Sequence, residues 1–215
     1  MAIVIDNKWR VELPVVTRYM RGEYVDAFFA TGALRLSSFS AFRKHPDEAI
    51  RDTREGLPQV ENRSGSSRGV FLGVMSQESY VLCGSMADLR GSNTEFCTES
   101  GIRIFDPFAF AREVSTQIPG FAVGMLGPCE YRENIAAQSN EPVAFRPPSS
   151  AEDAERIGQA LHKQWSRLAM KGLFVKALRF AHEVEFRMIW LAGDGQQEFI
   201  DIVCPSARTF CEKME

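Results

Sequence analysis

The run EVEFRMIW at 183–190 alternates charged and apolar residues with a period of two, the spacing of a β-strand rather than a helix. Val184, Phe186, Met188 and Trp190 then share one face suited to a core, while Glu183, Glu185 and Arg187 share the other. So heavy an apolar face predicts a central strand, and a central strand rarely spends three successive charges on open water. The charged face therefore reads as the lining of a cleft; a solvated face of Glu–Arg partners is the ordinary alternative in antiparallel sheets. Strand rise would set the two carboxylates roughly 7 Å apart, where they repel and, if buried, one is driven toward its protonated form. Arg187 would offset that repulsion.

The rest of the chain is built mainly of strands. VVTRYM (15–20) reads as a first strand, and RGEYVDAFFATG (21–32) as a helix with Tyr24, Phe28 and Phe29 on one face and Gly32 ending it. ALRLSSF (33–39) alternates Leu34 and Leu36 against Arg35 and Ser37. The polar stretch 43–69 predicts a long mobile loop with a short helix near 46–54. VFLGVMS (70–76) and SYVLCGS (79–85) predict a hairpin or adjacent strands. GIRIFD (101–106) alternates, and Pro107 opens a helix through PFAFAREVSTQI. GFAVGML and CEYR are strand-like, and NEPVAFRPPSS (140–150) is a connector. Ser150 and Asp153 predict a capping box for a helix that Gly172 closes. A strand-turn-strand pair ends the chain. Without β-α-β alternation, the reading is α+β: a single domain over 1–215 with a split, mostly antiparallel β core and flanking helices.

Composition narrows the function classes. With 215 residues and 45% hydrophobic content, the chain supports a sizeable core. A formal net charge of −3 gives no general drive toward nucleic acid or anionic membrane. The five cysteines (83, 97, 129, 204, 211) match neither a disulfide framework nor a zinc site, and the three histidines (45, 162, 182) form no familiar ligand pair. No metal site is expected. No apolar run approaches the roughly 20 residues of a membrane helix, and the start shows no secretory leader. The expectation is a reduced, cytoplasmic protein with no membrane partner.

Phosphate-cradle, dinucleotide, nucleophile-elbow and zinc-protease motifs are all lacking. Three stretches remain that a fold could gather: VVTRYM, YVLCGS and HEVEFR. Their order, with a basic residue on the first strand, then a helix, then TGALRLSS, resembles the mono-ADP-ribosyltransferases. The matching pieces are Arg18, Ser85 within CGS (83–85), and Glu183-Val184-Glu185; of the family's Ser-Thr-Ser only Ser85 is retained. DTREG, YVLCGS, GIRIFD, CEYR and LFVKALRFAHEVEFR more closely resemble a widespread bacterial family of uncharacterised domains. That family shows a Cys-x-Ser strand and a Lys before Glu-x-Glu-x-Arg.

The transferase resemblance implies an ADP-ribosyltransferase-like fold and NAD as substrate in a cleft between two sheets. It implies that Arg18 meets the phosphates or ribose, Ser85 the ribose or the glutamate, and that Arg187 and Tyr19 complete the NAD-binding set, with Tyr19 or Phe39 stacking on a ring. Glu185 would stabilise the oxocarbenium-like transition state, and Glu183 would orient or deprotonate the acceptor. The 43–69 loop would cover the cofactor. The acceptor (protein, nucleic acid or small molecule) stays open, water would make the chain an NAD glycohydrolase, and a bacterial toxin or defence role fits. Two other classes compete: a metal-dependent nuclease or phosphotransferase in which the two carboxylates hold Mg²⁺ and Lys176 and Arg187 hold phosphate, against which Asp201 is the only other carboxylate in a strand context nearby, and a non-catalytic binding module.

Overall fold

The computed structural model describes residues 12–44, 46, 52–57, 59–64, 67–72, 79–90, 100–133, 136–139, 148–193 and 197–214. The elements begin with β1 (Val16–Tyr19), α1 (Gly22–Thr31), β2 (Ala33–Ser38) and α2 (Phe39–Arg43). Next come β3 (Gln59–Ser64), β4 (Ser67–Leu72), β5 (Ser79–Ser85), β6 (Gly101–Ile104) and α3 (Pro107–Ser115). Then follow β7 (Phe121–Pro128), β8 (Glu130–Arg132), β9 (Ala136–Ser139) and α4 (Ala151–Gly172). The last are β10 (Val175–Ala177), a 3₁₀ helix Leu178–Glu183, β11 (Glu185–Ala192), β12 (Phe199–Val203), a 3₁₀ helix Pro205–Phe210, and β13 (Cys211–Met214). This is a mixed α+β fold with a mostly antiparallel sheet, as the sequence predicts.

The main sheet has eight strands, all paired antiparallel, with β5 at its hub. β11 runs along the whole of β5, from Leu191 opposite Ser79 to Glu185 opposite Ser85. Two other strands share β5's remaining pairing: β2 meets it at Val81 and Tyr80, β1 at Ser85. The sheet splits between those contacts. β12 extends the β2 side, β6 and β13 extend the β1 side, and β7 flanks β11.

β11 is buried on both faces, which its sequence explains. Phe186, Met188 and Trp190 enter the larger core with Val16, Phe28, Leu36 and Phe110. Each such side chain contributes roughly 1.5–3 kcal/mol relative to exposure. The Trp190 indole N–H donates to the Ala111 carbonyl at 3.0 Å, fixing α3 across the strand. The opposite face carries Glu185 and Arg187 beside Ile189, which packs in a smaller core with Phe39, Val81 and Leu173. The charged face of the EFR stretch is thus covered, not solvated.

Helix ends follow their residues. Gly32 takes φ 84° and its N–H closes α1 on the Phe28 carbonyl at 2.7 Å. Asp106 caps α3 through the Ala109 N–H. Ser150 caps α4, and Asp153 reaches back to the Ser149 N–H, a capping box displaced by one residue.

Several expectations are corrected. Tyr24 is exposed; α1 buries Val25 and Phe28. β4 and β5 are not a hairpin, because β4 pairs with β3 while β5 pairs with β1, β2 and β11. The apolar character of 79–85 reflects burial between distant strands, not a local turn. The stretch 43–69 is no unbroken loop: it holds a turn at 53–56, β3 and the start of β4, and β3 also pairs in parallel with β9. Its polar composition hid the pairing. Much of the 46–54 helix, and residues 140–147 of the connector, lie outside the described residues. β11 and β12 do not pair with each other; β12 joins β2. Among the described residues no helix is long and apolar enough to cross a membrane.

Candidate active site

Strand register brings the three sequence stretches together. Thr17, beside Arg18, lies opposite Ser85, and Ser85 lies opposite Glu185. Gly84 allows this closeness, since a Cβ there would sit 2.5 Å from Val16 Cγ1 and 2.9 Å from the Thr17 carbonyl. A cavity of about 100 Å³ opens where the sheet splits, and Arg18, Tyr19, Ser85, Lys176, Glu183 and Glu185 are among its lining residues. It has room for one group of a larger ligand, being below the roughly 300–1,000 Å³ of whole-ligand pockets.

At its rim, Arg18 Nη1 donates to the Cys83 carbonyl at 2.9 Å, and Arg18 has no ion pair among the described residues. The Ser85 hydroxyl accepts from the Ala87 N–H at 3.0 Å, and the Tyr19 hydroxyl accepts from the Leu89 N–H at 2.7 Å. These bonds hold both side chains in place.

Behind the rim runs a chain of alternating charges. Glu55 accepts from Arg187 at 2.6 Å, Arg187 Nε donates to Glu185 Oε1 at 2.5 Å, and Arg187 Nη1 donates to the Leu173 carbonyl at 2.5 Å. Lys176 Nζ then bridges Glu185 Oε2 and Glu183 Oε2, each at 2.5 Å. Glu183 Oε1 is buried and has no hydrogen-bond partner. With all five groups ionised, the chain carries three negative and two positive charges. Such an orphaned acceptor costs roughly 1–3 kcal/mol, more if charged, unless a proton or a donor meets it.

Burial works against every charge here, and neighbours decide the outcome. Burial pushes the Glu185 carboxyl up, but Arg187 and then Lys176 outweigh it and hold it well below the usual carboxylate range. Burial raises Glu55, with Arg187 opposing. Burial would discharge Lys176, yet Glu185, Glu55 and Glu183 keep it firmly protonated. Glu183 goes the other way: burial, only partly opposed by Lys176 and reinforced by Glu185, pushes it up to about 7. The thiols of Cys83 and Cys129 are raised by burial, so neither is a thiolate nucleophile.

Folding thus favours the proton on Glu183, whose folded value lies above the ordinary 4.5. The stability this brings is present in full at low pH and is lost as pH rises through about 7. Between pH 5 and pH 8, denaturant unfolding of Glu183→Gln should gain on the wild type by on the order of 2 kcal/mol. A difference that stays flat across that range would refute the assignment.

The sequence-predicted residues Arg18, Tyr19, Ser85, Glu183, Glu185 and Arg187 all line the cavity. Their roles differ from expectation in three respects. Glu183 does not belong to the strand: it ends a 3₁₀ helix, and Val184 takes φ 44°, which breaks the pleat before Glu185. Lys176, not strand rise, brings the two carboxylates to a common point. Arg187 is 1% exposed and its three nitrogens go to protein acceptors, so it serves as a structural cation. Phe39 lies 1% exposed under the Arg187 guanidinium, 5.8 Å from it, and is not placed for stacking on a ligand; Phe42 lines the cavity instead. Asp201 is bound to Arg35 on the exposed surface of β12 and β2, away from the cluster.

Sequence reasoning assigned no role to Glu55. Its signal was turn chemistry: the Asp52 carboxylate accepts from the Arg54 N–H at 3.0 Å, and Gly56 takes φ 66°. That turn delivers Glu55 inward, only 7% exposed. Comparison with protein-family models, with curated proteins and with solved structures finds no match to this chain.

Proposed function

We propose that this chain uses NAD as a glycosyl donor, releasing nicotinamide and passing ADP-ribose to an acceptor or to water. The observation that carries the reading is a buried Glu183 Oε1 without a hydrogen-bond partner, on a residue that lines one cavity with Arg18, Ser85 and Glu185. A diphosphate suits Arg18, whose guanidinium has no carboxylate partner among the described residues. The cavity has room for one group at the reacting end of such a molecule.

Glu185, locked in its ionised form, supplies fixed negative charge beside the ribose carbon as the bond to nicotinamide breaks and its electron pair departs with the ring. Ser85 and Tyr19 border the sugar. Glu183 takes the proton of the attacking hydroxyl, and a carboxyl pushed up to about 7 suits a base working near neutrality. In the metal-dependent alternative Asp201 drops out, leaving Glu55, Glu183 and Glu185 as the clustered carboxylates. The spaces a metal would neutralise between the remaining carboxylates are filled by Lys176 and Arg187.

The test is nicotinamide release from NAD⁺ by the full chain, with EDTA present and cell lysate as acceptor. Wild type should release it, and Glu183→Gln should fall at least about a hundredfold while remaining folded. Glu183 is the cleaner choice because Glu185 also holds two buried cations. Failure of the wild type to bind NAD⁺ would sink the reading and favour a non-catalytic module.

A further inference from the structure

We infer that Lys176 is the positioning residue of this site, its ammonium holding the Glu183 carboxylate at the wall of the cavity and compensating the charge placed there. This rests on the reading above, in which Glu183 receives a proton. Because Val184 turns left-handed, strand geometry does not place Glu183, and its carboxylate accepts from Lys176. Lys176 is itself held from several sides. β10 pairs in parallel with β8, setting Lys176 opposite Tyr131, and the Tyr131 hydroxyl accepts from the Glu185 N–H at 2.6 Å. The Phe180 ring lies 4.6 Å from Nζ, and the residue is 9% exposed.

The far end of the chain is fixed too, since Glu185 is tied to Arg187 and Arg187 to Glu55. Lys176 therefore transmits a rigid anchor to the Glu183 carboxylate. A compact ammonium suits this task, because it points separate donors at two carboxylates, where a planar guanidinium would present a fixed fork. The charged and titratable groups around Glu183 are Lys176 on β10, Glu185 and Arg187 on β11, and Glu55 on the 52–57 turn. Tyr131 on β8, Arg18 and Cys83 across the cavity, and His182 and Arg179 on its own 3₁₀ helix are further such groups among the described residues.

Two arms test it. The first uses no substrate: the carboxyl ¹³C signal of Glu183 and the ¹⁵Nζ signal of Lys176 are followed against pH in the full chain. Both signals should show the same midpoint in wild type. In Lys176→Met the Glu183 midpoint should move upward by about one pH unit or more, and Lys176→Arg should bring it back toward wild type. Should Lys176→Met not fold, the shared midpoint in wild type still decides; a Lys176 signal blind to the Glu183 titration overturns the inference. The second arm measures nicotinamide release. Lys176→Met should shift the acidic limb of the kcat–pH profile in step with Glu183. On a Glu183→Gln background its loss of kcat should be clearly smaller than in wild type, the remainder reflecting its second bond, to Glu185. An equal loss in both backgrounds overturns the inference. Silence of the wild type in the second arm speaks against the NAD reading, and the first arm then judges Lys176 alone.

Discussion

Arg187→Met should lose about 3–5 kcal/mol of unfolding free energy, most of the margin of an ordinary domain. The side chain is 1% exposed and serves three acceptors: Glu185, Glu55 and the Leu173 carbonyl. Removing the guanidinium leaves two buried carboxylates facing each other with Lys176 as their nearest cation. Methionine fills much of the volume, so the loss is electrostatic rather than a cavity effect. Arg187→Lys should recover little, because an ammonium cannot meet the three acceptors from one planar fork. Adding Glu55→Gln to Arg187→Met should return part of the loss by removing an uncompensated charge. Urea unfolding of the set measures this, and a single-variant loss below about 1 kcal/mol would show that the cluster contributes nothing net.

Gly56→Val should lower the melting temperature by several degrees, the effect of about 2–4 kcal/mol in a chain of this length. Two costs add. The residue sits at φ 66°, where a β-branched side chain is strained. A Cβ there would also stand 2.3 Å from both Cβ and Cγ of Phe39, whose ring is buried beneath Arg187. Either the turn lifts away, taking Glu55 off Arg187, or Phe39 leaves its core. Gly158→Ala provides the contrast: a Cβ at that position on α4 meets nothing within 4 Å, and alanine favours a helix over glycine. It should be neutral or stabilising by up to about 1 kcal/mol. If calorimetry ranks the two substitutions together, the packing account of the turn is wrong.

What the sequence made legible follows from period and order. The alternation of Phe186, Met188 and Trp190 identified the central strand and its core face, and three separated stretches pointed to one site that the register of β1, β5 and β11 assembles. What it concealed lay in non-local or non-repeating geometry. Glu183 looked like a member of the strand because a left-handed backbone at Val184 leaves no trace in a pattern of residue types. Glu55 was one of several charges in a polar stretch, and its inward course depends on a turn and on packing against Phe39. Lys176 was seen as a loose phosphate-binding group because nothing local reveals that its ammonium sits between two carboxylates. The strand partners of β5 were misjudged for the same reason: adjacency in sequence suggested β4, while the pairing is with strands from both ends of the chain.

The charge chain also bears on how the molecule is made. Its members come from position 55 and from positions 176 to 187, so closure entropy is met before their attraction rewards it. Until β11 settles onto β5, Glu185 and Arg187 remain hydrated along an open strand that is otherwise strongly apolar. Charges at such a place oppose pairing with a second chain, as inward-pointing charges do on exposed sheet edges. Residues sealed in the finished core are thus of the kind that disfavours aggregation while the strand is unpaired.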